Sequence, residues 1–265
     1  MKNQLSFQKI GTGTPLILLH GFTGDTTTMM PLGLGLNEDR TIYLIDLPGH
    51  GETGLLDDVS LYGFEETIDL LRNFLIHSNL DQVDLLGYSM GGRIALGFAI
   101  RYPELVKKLV LISSSAGLTT TSEQQMRQRT DNALANQILE EGIEVFVDDW
   151  MQQPLFASQL RLDPTIIEKQ RQQRLRNSPE GLAASLRGVG TGSQPSLWDQ
   201  LELVTAETLL VVGEDDSKFR RLAMKMAAGI PKSAISVIDE AGHATHLENI
   251  SASTQTIRSF LRESE

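Results

Sequence analysis

Gly87-Tyr88-Ser89-Met90-Gly91-Gly92 is the stretch that decides the fold of this chain. An apolar run at 83–86 precedes it and an amphipathic run at 93–102 follows it, which predicts a strand, a sharp turn and a helix. Small residues flank Ser89 because a Cβ two positions on either side would clash in so tight a turn. The turn exposes the serine hydroxyl and places the next N–H groups at a helix N-terminus, where they stabilise negative charge. This pattern favours a reactive serine over a bystander in a glycine-rich turn.

The composition bounds the class of protein. A chain of 265 residues, 40% hydrophobic and 22% charged, suits one large α/β domain with an insertion or two small domains. It has no cysteine, which excludes disulfides, thiol catalysis and cysteine metal sites. A net charge of −11 argues against nucleic acid and anionic membranes as partners. Neither a secretory signal nor a membrane-spanning run is visible, so we expect a cytoplasmic protein, monomeric and without metal or cofactor.

Short apolar runs alternate with helical segments, which predicts a mostly parallel sheet with crossover helices on both faces. The predicted strands lie at 16–20, 41–46, 83–87, 109–113, 209–213 and 235–239, with a weaker one at 5–9. The predicted helices lie at 62–77, 90–102, 217–228 and 252–262.

The alternation stops between the strand that ends near Ser113 and the strand at 209–213. This segment is helical in character, and Ser122-Glu-Gln-Gln125 resembles a capping box. We therefore predict an α/β core from 1–115 and 204–265, with a helical cap at 116–203 over the carboxyl edge of the sheet. That edge is where ligands bind in open α/β sheets.

A serine hydroxyl needs a base and the base needs an orienting acid. His243 follows the last predicted strand, and Asp216 follows the strand before it, so both lie at the same sheet edge as Ser89. Glu214 and Asp215 are alternative orienting acids, but Asp216 is favoured because it has cleared the strand. His246 lies three residues beyond His243 and is interpreted as structural, since a metal site there would lack a third ligand.

An oxyanion hole is the other half of such a site. His20-Gly21-Phe22 follows the strand at 16–20, which predicts that the Phe22 N–H points to a substrate oxygen beside the N–H of Met90. The turn Asp46-Leu-Pro-Gly-His-Gly51 is interpreted as loop architecture.

These landmarks together resemble the α/β-hydrolase superfamily across essentially the whole chain. Further stretches are similar to a narrower family, the 2-succinyl-6-hydroxy-2,4-cyclohexadiene-1-carboxylate synthases of menaquinone biosynthesis. They are Gly87-Tyr-Ser-Met-Gly-Gly-Arg93, Arg127-Gln-Arg-Thr-Asp131, Trp150-Met-Gln-Gln-Pro-Leu-Phe-Ala157 and Gly213-Glu-Asp-Asp-Ser-Lys-Phe219. The resemblance implies an α/β-hydrolase fold that carries out a lyase reaction, in which a histidine-activated serine acts as base and pyruvate is eliminated.

The same resemblance assigns site residues. The triad maps to Ser89, Asp216 and His243. Its implied substrate-binding residues are Arg93, Arg127, Arg174, Tyr88 and Trp150, with Arg171 and Arg176 as alternatives to Arg174.

The residues themselves support a small anionic substrate. Arginine binds carboxylates in a planar, bidentate manner. Arg93 lies one turn into the helix after Ser89, where a hydrolase of the usual kind would place an apolar side chain. The alternative for the arginines of the insertion is ion pairing with nearby acids. A serine hydrolase acting on an ester or a carbon–carbon bond of a small acidic substrate remains the second hypothesis.

Overall fold

The computed structural model describes residues 4–262, which form a seven-stranded sheet in the order β1-β3-β2-β4-β5-β6-β7. The strands are β1 (Phe7–Gly11), β2 (Thr14–Leu19), β3 (Arg40–Ile45), β4 (Val83–Tyr88), β5 (Val106–Ile112), β6 (Glu207–Gly213) and β7 (Ser233–Ile238). Only β1 pairs antiparallel, with β3, and the other neighbours in the sheet are parallel. The predicted α/β-hydrolase architecture with a mostly parallel sheet is therefore confirmed, and all seven predicted strands are present.

The helices of the core are α1 (Thr26–Leu36), α2 (Phe64–His77), α3 (Met90–Arg101), α8 (Ser217–Gly229), α9 (Thr245–Glu248) and α10 (Ile250–Arg262). Alternate residues of β2 show how the sheet is covered. Ile17 and Leu19 pack into the cluster that includes α2, α3 and α8, whereas Leu16 and Leu18 pack into the cluster with α1 and α10. Because successive side chains of a strand point to opposite faces, both faces of the sheet are buried under helices.

One core helix, α1, was not predicted. Its sequence contains Pro31, two glycines and three threonines, all of which disfavour helix. The helix forms because Asp25 caps it, accepting hydrogen bonds from the Thr27 and Thr28 N–H groups, and because Met29, Leu32 and Leu36 are buried against the sheet. Tertiary packing here outweighs local propensity.

Between β5 and β6 the chain is helical: α4 (Thr121–Glu141), α5 (Ile143–Met151), α6 (Pro164–Arg174), α7 (Pro179–Val189) and two 3-10 segments, Pro154–Arg161 and Trp198–Leu203. Side chains of α4, α5 and α7, among them Ile138, Phe146 and Leu182, form an apolar cluster of their own. The capping box predicted at 122–125 is wrong in register. Thr120 is the N-cap of α4 and Glu123 is its reciprocal partner.

Two helix boundaries also differ from the prediction. The segment predicted as one helix from 62 is divided at Gly63 into a 3-10 turn, Val59–Tyr62, and α2. The last helix begins at Ile250, two residues before its predicted start. Between residues 4 and 262, none of the helices is both long enough and apolar enough to cross a bilayer.

Candidate active site

The connection from β4 to α3 holds Ser89 in a conformation that side chains rarely adopt, with φ 50° and ψ −106°. The glycines around it are required by close approach. A Cβ on Gly87 would lie 2.3 Å from the carbonyl oxygen of Gly91, and a Cβ on Gly91 would lie 2.5 Å from the carbonyl oxygens of Leu19 and His20. The steric argument from the sequence therefore holds in the structure, and Ser89 occupies the tip of a strained strand-to-helix turn.

The structure brings together the three side chains of the predicted triad. His243 Nδ1 lies 2.9 Å from Asp216 Oδ2, and His243 Nε2 lies 3.1 Å from Ser89 Oγ. With the Nδ1 proton donated to the carboxylate, Nε2 is free to accept the serine proton. Both His243 and Asp216 are buried. This arrangement can convert Ser89 into a base or a nucleophile.

The structure also shows which of the three neighbouring acids, Glu214, Asp215 and Asp216, contacts His243. Asp215 forms an exposed ion pair with Arg161 over 2.5 Å, and Glu214 accepts a hydrogen bond from the Glu240 N–H. Asp216 Oδ1 accepts from the Phe219 N–H as the N-cap of α8, which fixes the carboxylate that faces His243. The acid that orients the histidine in the structure is therefore the one favoured from the sequence.

Two backbone N–H groups are available beside Ser89. Met90 is the first residue of α3, so its N–H has no partner within the helix. The Phe22 N–H, in the loop after β2, donates to no acceptor within the part of the chain that the structure describes. Both residues line the same cavity as Ser89 and His243. Their positions suit the predicted oxyanion hole.

Two buried histidines hold the loop that carries Phe22. His20 Nδ1 donates to the Gly21 carbonyl at 2.8 Å, and its Nε2 accepts from the Leu47 N–H at 3.0 Å. His50 Nε2 accepts from the Thr23 N–H at 3.3 Å. Burial lowers the pKa of both rings, that of His50 to about 3, so both are neutral at physiological pH. The predicted loop architecture of 46–51 therefore includes a support for the candidate oxyanion hole.

A cavity of about 240 Å³, partly open to solvent, lies above Ser89 and beneath the helical segment. Arg93, Arg127, Tyr88 and Trp150, all predicted from the resemblance, line it. Arg93 is only 8% exposed, and Nη1 donates to the Val189 carbonyl at 2.8 Å and to Gln194 Oε1 at 2.9 Å. Among residues 4–262 no carboxylate lies within 4.0 Å of its guanidinium. A buried cation that contacts no carboxylate within the described residues has the chemistry to bind an anion.

The other cations of the segment differ in their partners. Arg127 Nε binds the buried Asp131 over 2.7 Å while its side chain remains 43% exposed at the cavity. Arg171 pairs with Asp148, an acid of the same segment, as the ion-pair alternative has it. Arg176 is also paired, but with Asp25 of the core. Arg174 pairs with no acid in the described chain, and its ring neighbour is Phe156 at 5.8 Å.

Arg174 does not line the main cavity. It lies in a smaller adjoining pocket that shares Phe22, Tyr88 and Phe156 with the main one. Three buried nitrogens of this smaller pocket have no hydrogen-bond partner among residues 4–262: Arg174 Nε, Gln159 Nε2 and His246 Nδ1. The sequence therefore placed Arg174 near the site, but in a different compartment from Arg93 and Arg127.

Aromatic side chains border both compartments: Phe22, Tyr88 and Phe156 line the two of them, whereas Trp150 lines only the main cavity. The Trp150 ring packs against Phe22 at 5.3 Å, and its indole Nε1 is buried without a partner in the described part of the chain. The Tyr88 ring lies 4.4 Å from His246 and 5.4 Å from His243, and burial raises the pKa of its hydroxyl. Burial lowers the pKa of His246 to about 3, in keeping with a structural histidine. Within the described residues no three His, Asp or Glu side chains are grouped to hold a metal.

Two residues behind the arginines were missed from the sequence. Asp131 lies four residues after Arg127 on α4, a spacing that signals a helical ion pair. Gln194 lies in an irregular turn after α7, where no periodicity indicates which side chain is buried.

The fold and the Ser-His-Asp arrangement define an α/β hydrolase, and a family model described as "alpha/beta hydrolase fold" matches residues 14–250. A Bacillus subtilis protein named "Putative 2-succinyl-6-hydroxy-2,4-cyclohexadiene-1-carboxylate synthase" is 41% identical over 93% of this chain and 89% of its own length. A Citrobacter koseri protein of the same synthase name is 36% identical over 94% and 95% of the two chains. The solved structure of MenH from S. aureus matches with a TM-score of 0.92 and 38% identity, covering 98% of each chain. The chain belongs to the family of 2-succinyl-6-hydroxy-2,4-cyclohexadiene-1-carboxylate synthases.

Proposed function

We propose that this chain is a lyase of menaquinone biosynthesis. It eliminates pyruvate from a polycarboxylate cyclohexene intermediate to form 2-succinyl-6-hydroxy-2,4-cyclohexadiene-1-carboxylate. The observation that carries the proposal is Arg93, a buried guanidinium that has no carboxylate partner in the described chain and borders the same cavity as Ser89. A neutral ester would not require such a cation, whereas a substrate with several carboxylates would pair with it.

In the proposed reaction, His243 Nε2 takes the Ser89 proton and the serine oxygen removes a proton from a ring carbon. The electrons of the broken C–H bond form the new ring double bond, and the C–O bond to the pyruvate unit breaks. The departing enolate takes up the proton held on His243 and becomes pyruvate, which returns Ser89 and His243 to their starting forms. Because the serine acts as a base and not as a nucleophile, no acyl-enzyme forms. The N–H groups of Phe22 and Met90 are suited to stabilise negative charge on the carbonyl oxygen of the succinyl group while the proton leaves.

The arginines would bind different carboxylates of the substrate in the two compartments. Arg93 and Arg127 face the main cavity, and Arg174 faces the smaller pocket with the amide of Gln159. The unpartnered Arg174 Nε and Gln159 Nε2 are donors that a carboxylate would satisfy, since buried polar groups without partners are costly. Tyr88 and Trp150 would position the ring between them, and the unpartnered indole N–H is a further donor.

The direct experiment supplies the cyclohexene intermediate and follows pyruvate through a coupled dehydrogenase. Rapid pyruvate release that Ser89→Ala abolishes supports the lyase. The triad and the two free N–H groups also match the needs of acyl transfer, so a serine hydrolase is the second candidate. Fast turnover of nitrophenyl esters, with no pyruvate from the intermediate, would favour the hydrolase and contradict the lyase.

We also propose that 116–203 acts as a cap unit, and that the protein works as a cytoplasmic monomer on a small anionic ligand without nucleic acid or membrane partners. The apolar cluster shared by α4, α5 and α7 supports the cap. The absence of cysteine fits a reducing compartment. Sedimentation of the purified protein tests the monomer, and a dimer at micromolar concentration would contradict it.

A further inference from the structure

Gln194 is the side chain that holds Arg93. It is 1% exposed, and its backbone N–H donates to the Gly190 carbonyl at 3.0 Å in the turn after α7. Its Oε1 accepts the Arg93 Nη1 proton at 2.9 Å, beside the Val189 carbonyl at 2.8 Å. Both acceptors belong to the helical segment between β5 and β6, whereas Arg93 belongs to the core helix α3.

These two acceptors orient the guanidinium without neutralising it. An amide and a carbonyl oxygen each accept a hydrogen bond but carry no formal charge. The Arg93 Nε and Nη2 groups donate to nothing among residues 4–262, and neither is enclosed without a partner, so both remain accessible at the cavity that Arg93 lines. The cation therefore keeps its charge and its free donors for an incoming ligand.

The neighbouring Arg127 is held by a carboxylate rather than by neutral acceptors. Arg127 Nε binds the carboxylate of Asp131, and Asp131 Oδ2 also accepts the Gly192 N–H at 3.1 Å. The exposed Arg127 thus contacts a carboxylate directly, whereas the buried Arg93 contacts a neutral amide and interacts with Asp131 only from beyond 4.0 Å. This distribution is the reverse of what stability alone would favour, because an unpaired charge costs more when it is buried.

We propose that Gln194 is a specificity-determining positioning residue: its neutral amide aims Arg93 at the cavity and preserves the positive charge that selects a carboxylate-bearing substrate. This inference rests on the proposed function, since it assumes that the ligand of Arg93 is a substrate carboxylate. Glutamate in the same place would have nearly the same shape but would cancel the charge by forming an ion pair with Arg93.

The test compares Gln194→Glu with Gln194→Met, a neutral side chain of similar size. Binding of the cyclohexene intermediate is measured by calorimetry on both changes in a Ser89→Ala background, so that no turnover occurs. We expect Gln194→Glu to weaken binding by about 10- to 150-fold, the worth of a charge-assisted hydrogen bond. Gln194→Met keeps the charge and the Val189 acceptor, so it should weaken binding by only about threefold.

A double-mutant cycle with Arg93→Met makes the result decisive. If Gln194 acts through the charge of Arg93, the difference between the glutamate and methionine variants disappears once Arg93 is replaced. Equal weakening by the two variants, wild-type binding by the glutamate variant, or a difference that persists without Arg93 would overturn the inference. If Gln194→Glu does not fold, a loss greater than tenfold in Gln194→Met also overturns it.

Pyruvate release by the otherwise unchanged enzyme is recorded separately. A protein that releases no pyruvate, yet binds the intermediate with the expected glutamate effect, would contradict the lyase but not the role of Gln194. A protein that binds no intermediate in the Ser89→Ala background would overturn the role of Gln194, whatever its turnover.

Discussion

The backbone N–H of Arg93 donates to the carbonyl oxygen of Ser89 over 3.0 Å, so the reactive hydroxyl and the buried cation are joined by the first turn of α3. Residues four apart on a helix lie on the same face, and both border the main cavity. The distance between the proposed base and the charge that would bind the substrate is therefore set by a rigid helix rather than by a loop.

Replacing Ser89 should abolish the reaction without unfolding the protein. We expect Ser89→Ala to lower kcat for pyruvate release by about 10³-fold or more, because the acceptor of the ring proton is lost. Ser251→Ala removes an exposed hydroxyl from α10 and serves as the matched control. A Ser89→Ala enzyme within tenfold of the wild-type rate would contradict the assignment of the base.

The strained turn predicts a stability difference between two variants. Because Ser89 has φ 50° and ψ −106°, Ser89→Gly should be more stable than Ser89→Ala by about 1 kcal/mol or more. Urea unfolding of both proteins measures the difference. Equal free energies of unfolding would show that the turn stores no strain at this residue.

Removal of the Arg93 side chain should weaken binding of the transition state. We expect Arg93→Ala to lower kcat/KM by an amount equivalent to about 2–5 kcal/mol, since a substrate carboxylate would be left unpaired in a partly dry cavity. Steady-state pyruvate release measures this loss. A kinetically silent Arg93→Ala would contradict the anionic substrate.

Arg174 and Arg171 form a natural comparison on α6. Arg174→Met should raise KM by about tenfold or more, because the cation of the smaller pocket is lost. Arg171→Met removes a surface ion pair with Asp148, which is worth about 1 kcal/mol or less in stability, and should leave KM unchanged. The reverse order of effects would show that the smaller pocket does not bind the substrate.

The buried His50 and His246 predict that the folded protein becomes less stable in acid. The pKa values of His50 and His246 are held at about 3, against an ordinary 6.5, so only the unfolded chain takes up protons on them below pH 6.5. Stability should then fall as the pH drops from about 6.5 toward 3, by up to about 1.4 kcal/mol per pH unit and ring. Asp46 and Asp84, whose pKa values are raised by burial, oppose this trend near their own ionisation.

Urea unfolding at pH 7, 6 and 5 measures the slope. His50→Gln should reduce it, while His77→Gln, an exposed position at the end of α2, should not. Ring signals of His50 and His246 that titrate above pH 5 in the folded protein would contradict the explanation.

At the edge of the sheet opposite Ser89, a buried ion pair between Arg40 and Asp84 should affect the free energy of unfolding but not kcat. Arg40 contacts Asp84 and also donates to the Leu261 carbonyl of α10 at 2.6 Å. Arg40→Leu leaves the buried Asp84 carboxylate without its guanidinium partner, with the Lys108 N–H as a remaining donor, and should cost about 3–5 kcal/mol in unfolding free energy. Arg40→Leu with Asp84→Leu should cost less than the single change, with kcat preserved in both. A larger loss in the double variant would contradict this view.

The sequence was most informative where structure is local and periodic. The strands and the order Ser89, Asp216, His243 followed from apolar runs and from the meeting of parallel strand ends at one edge. Helix α1 was missed because its stability comes from the Asp25 cap and burial against β3, which local propensity does not show. The sequence also could not predict that Arg174 lies in a separate compartment or that Gln194 contacts Arg93, since both depend on how the helices between β5 and β6 pack over the core.

The loop that carries Phe22 and the three triad residues all belong to turns at the edge of the sheet, whereas Arg127, Arg174 and Gln194 arise from a single contiguous stretch between two strands. Arg93 belongs to the core together with the reacting groups, so only the side chains that surround and position this cation are encoded in a separable part of the gene. Recombination of that stretch among relatives of this fold would redirect the chemistry to new metabolites while leaving the reacting groups untouched.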